Sequence, residues 1–415
     1  MKLITVIIIS LITFIQTANA QESIYSRFGL GDVQSSYSAR RLGMGQMGTS
    51  VADEDFIGTL NPAGWNKLKM TRIEFGVAFS GSFVSADNFE NRYYAGTQFT
   101  GFTMAFPVSS VYGIGIAMGI VPVTNVNYTV TDHQSSANPN IGDYDISYVG
   151  SGGLSKVFIG SSYKLPLLDI NIGATLDYYF GNLNYASTIT FANADNLTAT
   201  YQTTYQPKGI GTTLGFISPD FLAGTSSAFS DFRIGASANI IPKMNTDTLQ
   251  TSTSTLRTDT VTTAPVNMKI PYRLNAGMSV LISKKYLVTI DVAYQPWSYY
   301  SLNNIKSNNM RDLFLISAGT EYRPVRELGG TFWNQVILRG GVSYEQTQYI
   351  INNTGINQVS VFGGFSVPLS YANTIDVGIQ YSTKGTTDAM LLKESGFKFA
   401  FGLSLGDIWF LREEK

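Results

Sequence analysis

Residues 170–180 have the sequence INIGATLDYYF, and this stretch decides the fold. Its apolar side chains stand at every second position, and the residues between them are mostly small or polar. A period of two is the signature of a β-strand with one apolar and one polar face. The run exceeds the ~5–6 residues of an average soluble strand and reaches the ~9–11 residues that a tilted strand needs to cross a membrane. We therefore interpret it as one strand of a transmembrane β-barrel.

The same alternation recurs along the chain, in residues 232–240, 336–344, 375–381 and 397–405. One predicted lipid face consists of Val336, Leu338, Gly340, Val342 and Tyr344. The opposite faces are rich in Gly, Ser, Thr and Asn, which suits a wet lumen, and aromatic residues near the strand ends suit the interfacial girdles. Fifteen segments qualify as strands, but a bacterial single-chain barrel has an even number. The short, Gly-rich segment 209–218 is the best candidate for a miscount, so we predict an all-β fold, a transmembrane antiparallel barrel of about 14 strands.

Composition excludes several classes of function. Charged residues make up 14% of the chain, against ~25% in average proteins, and a net charge of −1 gives no electrostatic footprint for a nucleic-acid partner. The chain has no Cys and a single His, His133, which lies in a polar stretch that we expect to be a solvated loop. Zinc sites, disulfides and most general-base chemistry are thereby removed. We predict that the protein is not an enzyme, with no catalytic residue, cofactor or metal.

The first twenty residues have the pattern of a signal peptide. Lys2 supplies a positive charge, residues 3–15 an apolar core, and Ala18-Asn19-Ala20 a cleavage site. This core is shorter than the ~20 residues of a transmembrane helix, and no later window is long and apolar enough for one. We therefore predict a signal peptide at 1–20, export, and multi-pass insertion into the bacterial outer membrane.

Residues 21–69 do not alternate and are rich in glycine. A barrel of about 14 strands is wider than the eight-strand size that side chains alone can fill. We therefore predict that residues 21–69 form a plug, or hatch, inside a barrel made by residues 70–415.

The segment 38–68 carries a set of short motifs that can be compared with known proteins. These are Ser38-Ala39, Gly43-Met44-Gly45, Gly48-Thr49, Ala52-Asp53, and Asn61-Pro62-Ala63-Gly64 followed by Leu68. They resemble the N-terminal hatch of the FadL/TodX family of outer-membrane transport proteins, and residues 24–31 resemble its Bacteroidota branch. The resemblance implies a 14-strand barrel with a hatch, and passive uptake of hydrophobic compounds such as long-chain fatty acids or aromatic hydrocarbons.

The resemblance also implies that the ligand leaves sideways into the bilayer through a defect in the third strand. Pro122, which ends the predicted third strand at 111–121, is a candidate for that kink, and an ordinary strand end is the alternative. The predicted ligand or hatch motif consists of Gly43, Gly45, Gly48, Asn61, Pro62, Ala63 and Gly64.

Three of these stretches have structural interpretations as well. The spacing of Gly43, Gly45 and Gly48 matches a dinucleotide-binding fingerprint, but no strand precedes it, so we discount that interpretation. The acidic run 53–55 lacks the ligand spacing of an EF-hand and predicts a polar turn. Asn61 can cap a short helix whose first residue is Pro62.

Charged residues on the predicted lumen side have mixed signs. They are Arg233, Arg339, Asp177, Asp291, Asp376 and Lys398. This mixture of signs predicts internal salt bridges that hold the hatch, rather than a pocket that binds anions.

Two functions remain open at this stage. The first is a channel for hydrophobic small molecules, which predicts a continuous apolar pocket between hatch and wall. The alternative is a sealed barrel that acts as a structural or accessory subunit of an outer-membrane assembly or secretion complex, which predicts a tightly packed lumen. The predicted partners are outer-membrane lipid, a hydrophobic small-molecule ligand in the first case, and an outer-membrane or periplasmic protein in the second.

Overall fold

A computed structural model describes residues 23–35, 37–86, 91–109, 112–136, 142–192, 198–225, 228–241, 243–254, 256–324, 335–370 and 372–407. Within them the chain forms a closed antiparallel barrel of 14 strands, so the predicted fold class is confirmed. The strands, numbered in chain order, are β1 Thr71–Ser85, β2 Arg92–Ser109, β3 Ile114–Pro122 and Thr124–Gln134, β4 Tyr144–Leu165, β5 Ile170–Phe191, β6 Ala199–Ile217, β7 Phe229–Ile240 and Met244–Ser254, β8 Thr258–Lys269 and Arg273–Ile282, β9 Tyr286–Gln295, β10 Leu313–Tyr322, β11 Ile337–Ile351, β12 Thr354–Pro368, β13 Thr374–Gly385 and β14 Lys393–Asp407.

The barrel closes where its first and last strands meet. Strand β1 pairs with β14 from Thr71 opposite Asp407 to Ser85 opposite Lys393, and its other edge pairs with β2. Closure leaves the sheet without an outer edge in that region, which is how a β-structure satisfies its backbone in lipid.

One predicted segment is not a separate strand. Segment 209–218 is the second half of β6, which begins at Ala199. The third strand also differs from its predicted range of 111–121, because the chain resumes at Thr124 and continues to Gln134. The strand number is right, although these boundaries are wrong.

The two faces of the wall follow the predicted alternation. Leu338 is 54% exposed on the outer face, whereas its neighbour Arg339 is 6% exposed and points inward. Val336 is an exception, since it precedes β11 and is buried rather than facing lipid.

Several strands are longer than a membrane crossing requires. Strands β4 and β5 have 22 residues each, about twice the ~9–11 residues of a tilted crossing. They and the hairpin of β7 and β8 project from the barrel end opposite to that where β1 begins. We call this end the outer end, because bacterial barrels carry their longer connections outside. Residues 244–266 thus belong to the part of the β7 and β8 hairpin that projects from the barrel.

The helices are short. They comprise α1 Ala39–Gly43 and the 3-10 turns Ile24–Arg27, Pro62–Lys67, Trp297–Tyr299 and Asp388–Met390. In the part of the chain that the structure describes, no helix has the length and apolar character to cross a membrane. Residues 1–22 lie outside the described residues, so the signal peptide remains a prediction.

Candidate functional site: the hatch and its contacts with the barrel wall

The first part of the hatch runs along the inside of the third strand. The two-residue strand Asp32–Val33 pairs with the second half of β3, with Val33 opposite Thr124. The amide of Gln34 continues this ladder by donating to the carbonyl of Val123 at 2.9 Å. The hatch therefore covers the edge of β3 from inside the lumen.

The described start of the hatch is fixed near the outer end of the barrel. Glu394 accepts hydrogen bonds from the Ser23 hydroxyl at 2.8 Å and from the Ile24 amide at 2.7 Å. Lys384, on the neighbouring strand, donates to Asp32 at 2.6 Å. These contacts use charged residues at the outer ends of β13 and β14 to hold the hatch.

The middle of the hatch is held by a buried network of ion pairs. Arg40 of α1 lies 3.3 Å from Glu321 of β10. Arg339 of β11 contacts the same carboxylate at 2.6 Å and also reaches Asp376 of β13, at 3.4 Å. The side chains of Glu321 and Arg339 are 0% exposed, and a buried pair of this kind is strongly destabilised when one partner is removed.

Asp53 is an acidic residue that the hatch itself contributes to this network. It pairs with Arg41 at 2.7 Å and with Arg323, just beyond β10, at 2.7 Å. Burial acts to raise the pKa of Asp53, but Arg40, Arg41 and Arg323 outweigh burial and lower this pKa. The carboxyl is therefore ionised at neutral pH and links two parts of the hatch to the wall.

Glycines in the wall let the hatch backbone approach closely. At each of eight lumen-facing glycines, a Cβ atom built on the backbone would meet a hatch atom at 3.0 Å or less. They are Gly115, Gly173, Gly215, Gly235, Gly319, Gly341, Gly364 and Gly378. Because they lie on eight different strands, this glycine belt surrounds the hatch on most of its circumference.

The predicted hatch glycines lie at these approaches. A Cβ on Gly43 would be 3.1 Å from the Cα of Gly364 in the wall, and one on Gly45 would be 3.0 Å from the carbonyl of Ala318. Gly45 and Gly48 have φ values of +82° and +123°, which side-chain-bearing residues rarely adopt. Their role in ligand movement stays a prediction.

Asn61 is the N-cap of the turn Pro62–Lys67. Its side-chain oxygen accepts from the amide of Ala63 at 3.1 Å, and its side-chain nitrogen donates to the carbonyls of Thr49 at 2.7 Å and Phe216 at 3.0 Å. One side chain therefore caps a helix, joins two parts of the hatch and binds strand β6. Gly64 sits against the backbone of Ala52, another hatch residue.

The wall is interrupted directly after Pro122. Residues 92–101 of β2 pair with β1, but only the part of β2 from Phe102 onward pairs with β3. Among the described residues, the second half of β3 pairs with β4 and the hatch, and not with β2. A slit thus lies between β2 and β3 at the outer half of the wall. A role of Pro122 in ligand release stays a prediction.

Several cavities lie between hatch and wall in the described part of the chain, and two of them bear on the function. The inner cavity, beside the interruption of β3, is about 40 Å³ and is lined in part by Leu30, Leu60 and Leu154. The outer cavity is about 160 Å³, and its lining includes Asp32 and Lys384. A dry apolar cavity that holds benzene measures ~150 Å³. The inner cavity is too small for such a ligand, and the outer cavity is polar and charged.

The remaining lumen charges pair locally or with the hatch. Asp177 binds Lys156 at 3.0 Å, Asp291 accepts from the amide of Thr49 at 2.7 Å, and Arg233 pairs with its neighbour Asp231. Lys398 donates to Gln34 at 3.2 Å. The predicted salt bridges therefore exist, and four of the six predicted residues (Arg339, Asp376, Asp291 and Lys398) touch the hatch or its ion network.

The sequence did not identify the partners of Arg40, Arg41 and Asp53. The sequence shows the arginine pair and the acidic run 53–55 but predicts only a polar turn for the run, and Glu321 lies 281 residues away from Arg40. His133 also differs from its expected loop, because it lies near the end of β3, exposed, where it bonds Asp145 at 2.7 Å.

Comparison with solved structures gives the same architecture. The CymD monoaromatic hydrocarbon channel is 16% identical, with a TM-score of 0.57 over 90% of this chain and 98% of that chain. The toluene transporter TbuX of Ralstonia pickettii is 14% identical, with a TM-score of 0.56 over 90% and 99% of the two chains. A FadL homologue of Pseudomonas aeruginosa is 10% identical, with a TM-score of 0.60 over 89% and 98%. At these identities the likeness shows a FadL-like barrel fold, and the narrower Bacteroidota branch stays a prediction.

Comparison with families and curated proteins completes the assignment. No curated protein matches the chain. The model of the BamG family matches residues 1–414, which is nearly the whole sequence. The barrel, its hatch and this match together place the chain among outer-membrane barrels. The chain belongs to the BamG family.

Proposed function

We propose that the protein is a sealed outer-membrane barrel that serves as a structural or accessory subunit of an outer-membrane assembly. The glycine belt is the observation that carries this proposal. A wall shaped to the hatch backbone on eight strands is expected for a permanent plug, because close packing leaves no room for a ligand to pass. The small inner cavity and the polar outer cavity support the same conclusion.

The family assignment is consistent with this proposal. The chain matches the BamG family over residues 1–414, whereas its likeness to hydrocarbon channels is one of fold. A partner can contact such a barrel through its periplasmic hatch surface, its outer extensions or its lipid face. The long strands β4 and β5 and the hairpin of β7 and β8 offer more outer surface than membrane crossing requires.

The proposal is tested by mild extraction of the tagged protein from outer membranes. We expect a partner protein at fixed stoichiometry that remains bound through size-exclusion chromatography, and no apolar small molecule by mass spectrometry. A monomeric barrel that carries a bound hydrophobic compound would contradict the subunit function.

A channel for hydrophobic compounds is the second candidate, and the slit between β2 and β3 is the observation that favours it. The inner cavity lies beside this slit, and the hatch residues Asp32–Val33 occupy the edge of β3 there. If this part of the hatch moves aside, an apolar ligand can pass from the lumen to the bilayer, with no energy source beyond ~0.8 kcal/mol per buried CH₂.

A disulfide between the hatch and β3 separates the two candidates. Val33 and Thr124 are opposite each other in an antiparallel pair, at the ~4.5–5.5 Å Cα separation that disulfides tolerate. The natural chain has no Cys, so two introduced Cys residues can pair only with each other. A channel predicts that oxidising Val33→Cys/Thr124→Cys stops uptake of a hydrophobic reporter, while the subunit predicts no effect. The matched control is Gly340→Cys/Gly363→Cys, a cross-strand pair within the wall.

A further inference from the structure

The inner cavity has an unbalanced charge. Its described lining contains two cationic side chains, Arg273 and Lys156, and no Asp or Glu. Lys156 is neutralised by Asp177 at 3.0 Å. Arg273 is 8% exposed; the carboxylate of Glu345 acts on it electrostatically, but no carboxylate of the described residues forms a salt bridge with it. A buried guanidinium without a carboxylate in direct contact is unfavourable, so an anion beside it would be stabilising.

The hydrogen bonds of Arg273 are all to neutral groups. Its Nε donates to the Asn275 side chain at 3.1 Å, and one terminal nitrogen donates to the hydroxyl of Ser35, in the hatch, at 3.0 Å. These bonds orient the guanidinium, with its position on β8, against the hatch. They do not neutralise it.

An unpartnered donor lines the same cavity. Trp297 is 1% exposed, and its Nε1 has no hydrogen-bond partner among the described residues. The side-chain oxygen of Gln295, also in the lining, lacks a donor there. Buried polar groups are nearly always hydrogen-bonded, so the cavity presents an unused N–H, an unneutralised guanidinium and an unused acceptor.

We propose that the inner cavity binds a small monovalent anion, of the size of chloride or formate, between Arg273 and Trp297, together with a water that donates to Gln295. The volume of about 40 Å³ fits these two guests, since one water takes ~10–15 Å³ measured in this way. It does not accommodate an alkyl chain. The anion neutralises Arg273, accepts from the indole N–H, and fixes the wall to the hatch through Ser35.

This site deepens the proposed function, because it adds a contact that keeps the hatch in place. It rests on the proposed function in one respect, namely that the hatch is a permanent plug. The binding itself is measured on the isolated barrel. A barrel that binds the anion but has no protein partner would therefore contradict the subunit function alone.

The direct test is anomalous diffraction from crystals grown in bromide. We expect a bromide peak within hydrogen-bond distance of both the guanidinium and Trp297 Nε1, and its loss in Arg273→Gln. The matched control is Arg257→Gln, which removes one positive charge from an exposed pair with Asp259 at the outer hairpin and should keep the peak. A peak that appears only at molar bromide indicates an adventitious ion only and overturns the proposal.

The second test is a chloride titration of thermal stability, with gluconate holding the ionic strength constant. Wild type should gain stability with chloride, as expected for a ligand that binds the folded state. Trp297→Phe should weaken the apparent affinity at least tenfold, and it keeps the test valid if Arg273→Gln fails to fold, because Nε1 has no partner to lose.

Two outcomes of the titration would overturn the assignment. The first is the same chloride dependence in wild type and Trp297→Phe. The second is a dodecanoate affinity at least a hundredfold above that of formate, which would mean that the cavity opens around an alkyl chain.

Discussion

Replacing Gly341 by alanine should loosen the hatch, whereas the same change at its neighbour Gly340 should not. Both residues lie on β11, and both are glycines within the same ladder. Gly341 faces the lumen, where the backbone of Gly45 packs on it, while Gly340 faces outward. The pair therefore isolates the hatch contact from any general effect of a methyl group in this strand.

The size of the effect follows from the distances. A Cβ on Gly341 would lie 2.5 Å from the Gly45 nitrogen and 2.9 Å from both the Gly45 Cα and the Met44 carbonyl carbon. These are backbone atoms, so no side-chain rotation relieves the contact, and overpacking of this kind costs ~1–3 kcal/mol. At Gly340 the nearest atom, on Thr320, is 3.9 Å away, and alanine in a strand is favoured over glycine by ~0.5–1 kcal/mol. Both variants share this gain, so they should differ by the overpacking cost at Gly341, about 1–3 kcal/mol.

The measurement is the free energy of unfolding in urea for each variant, folded in lipid, combined with hydrogen exchange of the hatch amides. Gly341→Ala should lower this free energy and speed exchange in α1, while strand amides far from the hatch keep their protection. Equal unfolding free energies for the two variants would refute the argument that the wall is shaped to the hatch.

Three further predictions concern the wall, the cap and the outer hairpin. Leu338→Arg should impair insertion by ~2–4 kcal/mol near the midplane. Arg339→Leu should insert but lower the unfolding free energy by ~3–5 kcal/mol, because its acidic partners stay buried. Equal insertion yields of the two variants would contradict this assignment of the two faces. Asn61→Ala should destabilise the hatch by ~0.5–2 kcal/mol from the lost cap alone, measured by urea unfolding, and unchanged stability would contradict the capping role. A hydrogen bond to Asp145 and nearby carboxylates raise the pKa of His133, which lies beyond the spanning part of β3. The stability that protonated His133 contributes is present below pH ~6.5 and is lost as the pH rises through the raised pKa. NMR titration of this sole His should show a lower midpoint in Asp145→Asn, and an unchanged midpoint would contradict the assignment.

The alternation of apolar and polar residues predicted the two faces of the wall, because a strand has only two faces and the pattern assigns every residue to one of them. A shift of one residue turns every side chain of a strand to the other face, so Leu338 and Arg339 could be assigned from their neighbours alone. Strand ends are less constrained, because β5 and β6 keep alternating after they leave the lipid. This is why segment 209–218 was separated from the strand to which it belongs.

The hatch contacts could not be predicted in the same way. Each depends on which strand lies opposite a given hatch residue after closure, as when Arg40 meets Glu321 or Gly45 meets Gly341. The short cap at Asn61 is an exception, because it is made by an amide two residues further along the chain. Local chemistry was therefore readable from the sequence, and the fit between hatch and wall was not.

The contacts of the first hatch segment also restrict the channel candidate. Moving residues 23–35 away from the slit breaks the ladder with β3 and the bonds of Glu394 and Asp32, together on the order of 10 kcal/mol at ~1–3 kcal/mol each. Burial of ~0.8 kcal/mol per CH₂ lets a long acyl chain offset this cost, but a single-ring hydrocarbon has too few carbons. If the protein does conduct, uptake assays should therefore favour long-chain fatty acids over toluene, and rapid toluene uptake that is blocked by the Val33→Cys/Thr124→Cys disulfide would contradict this energetic argument.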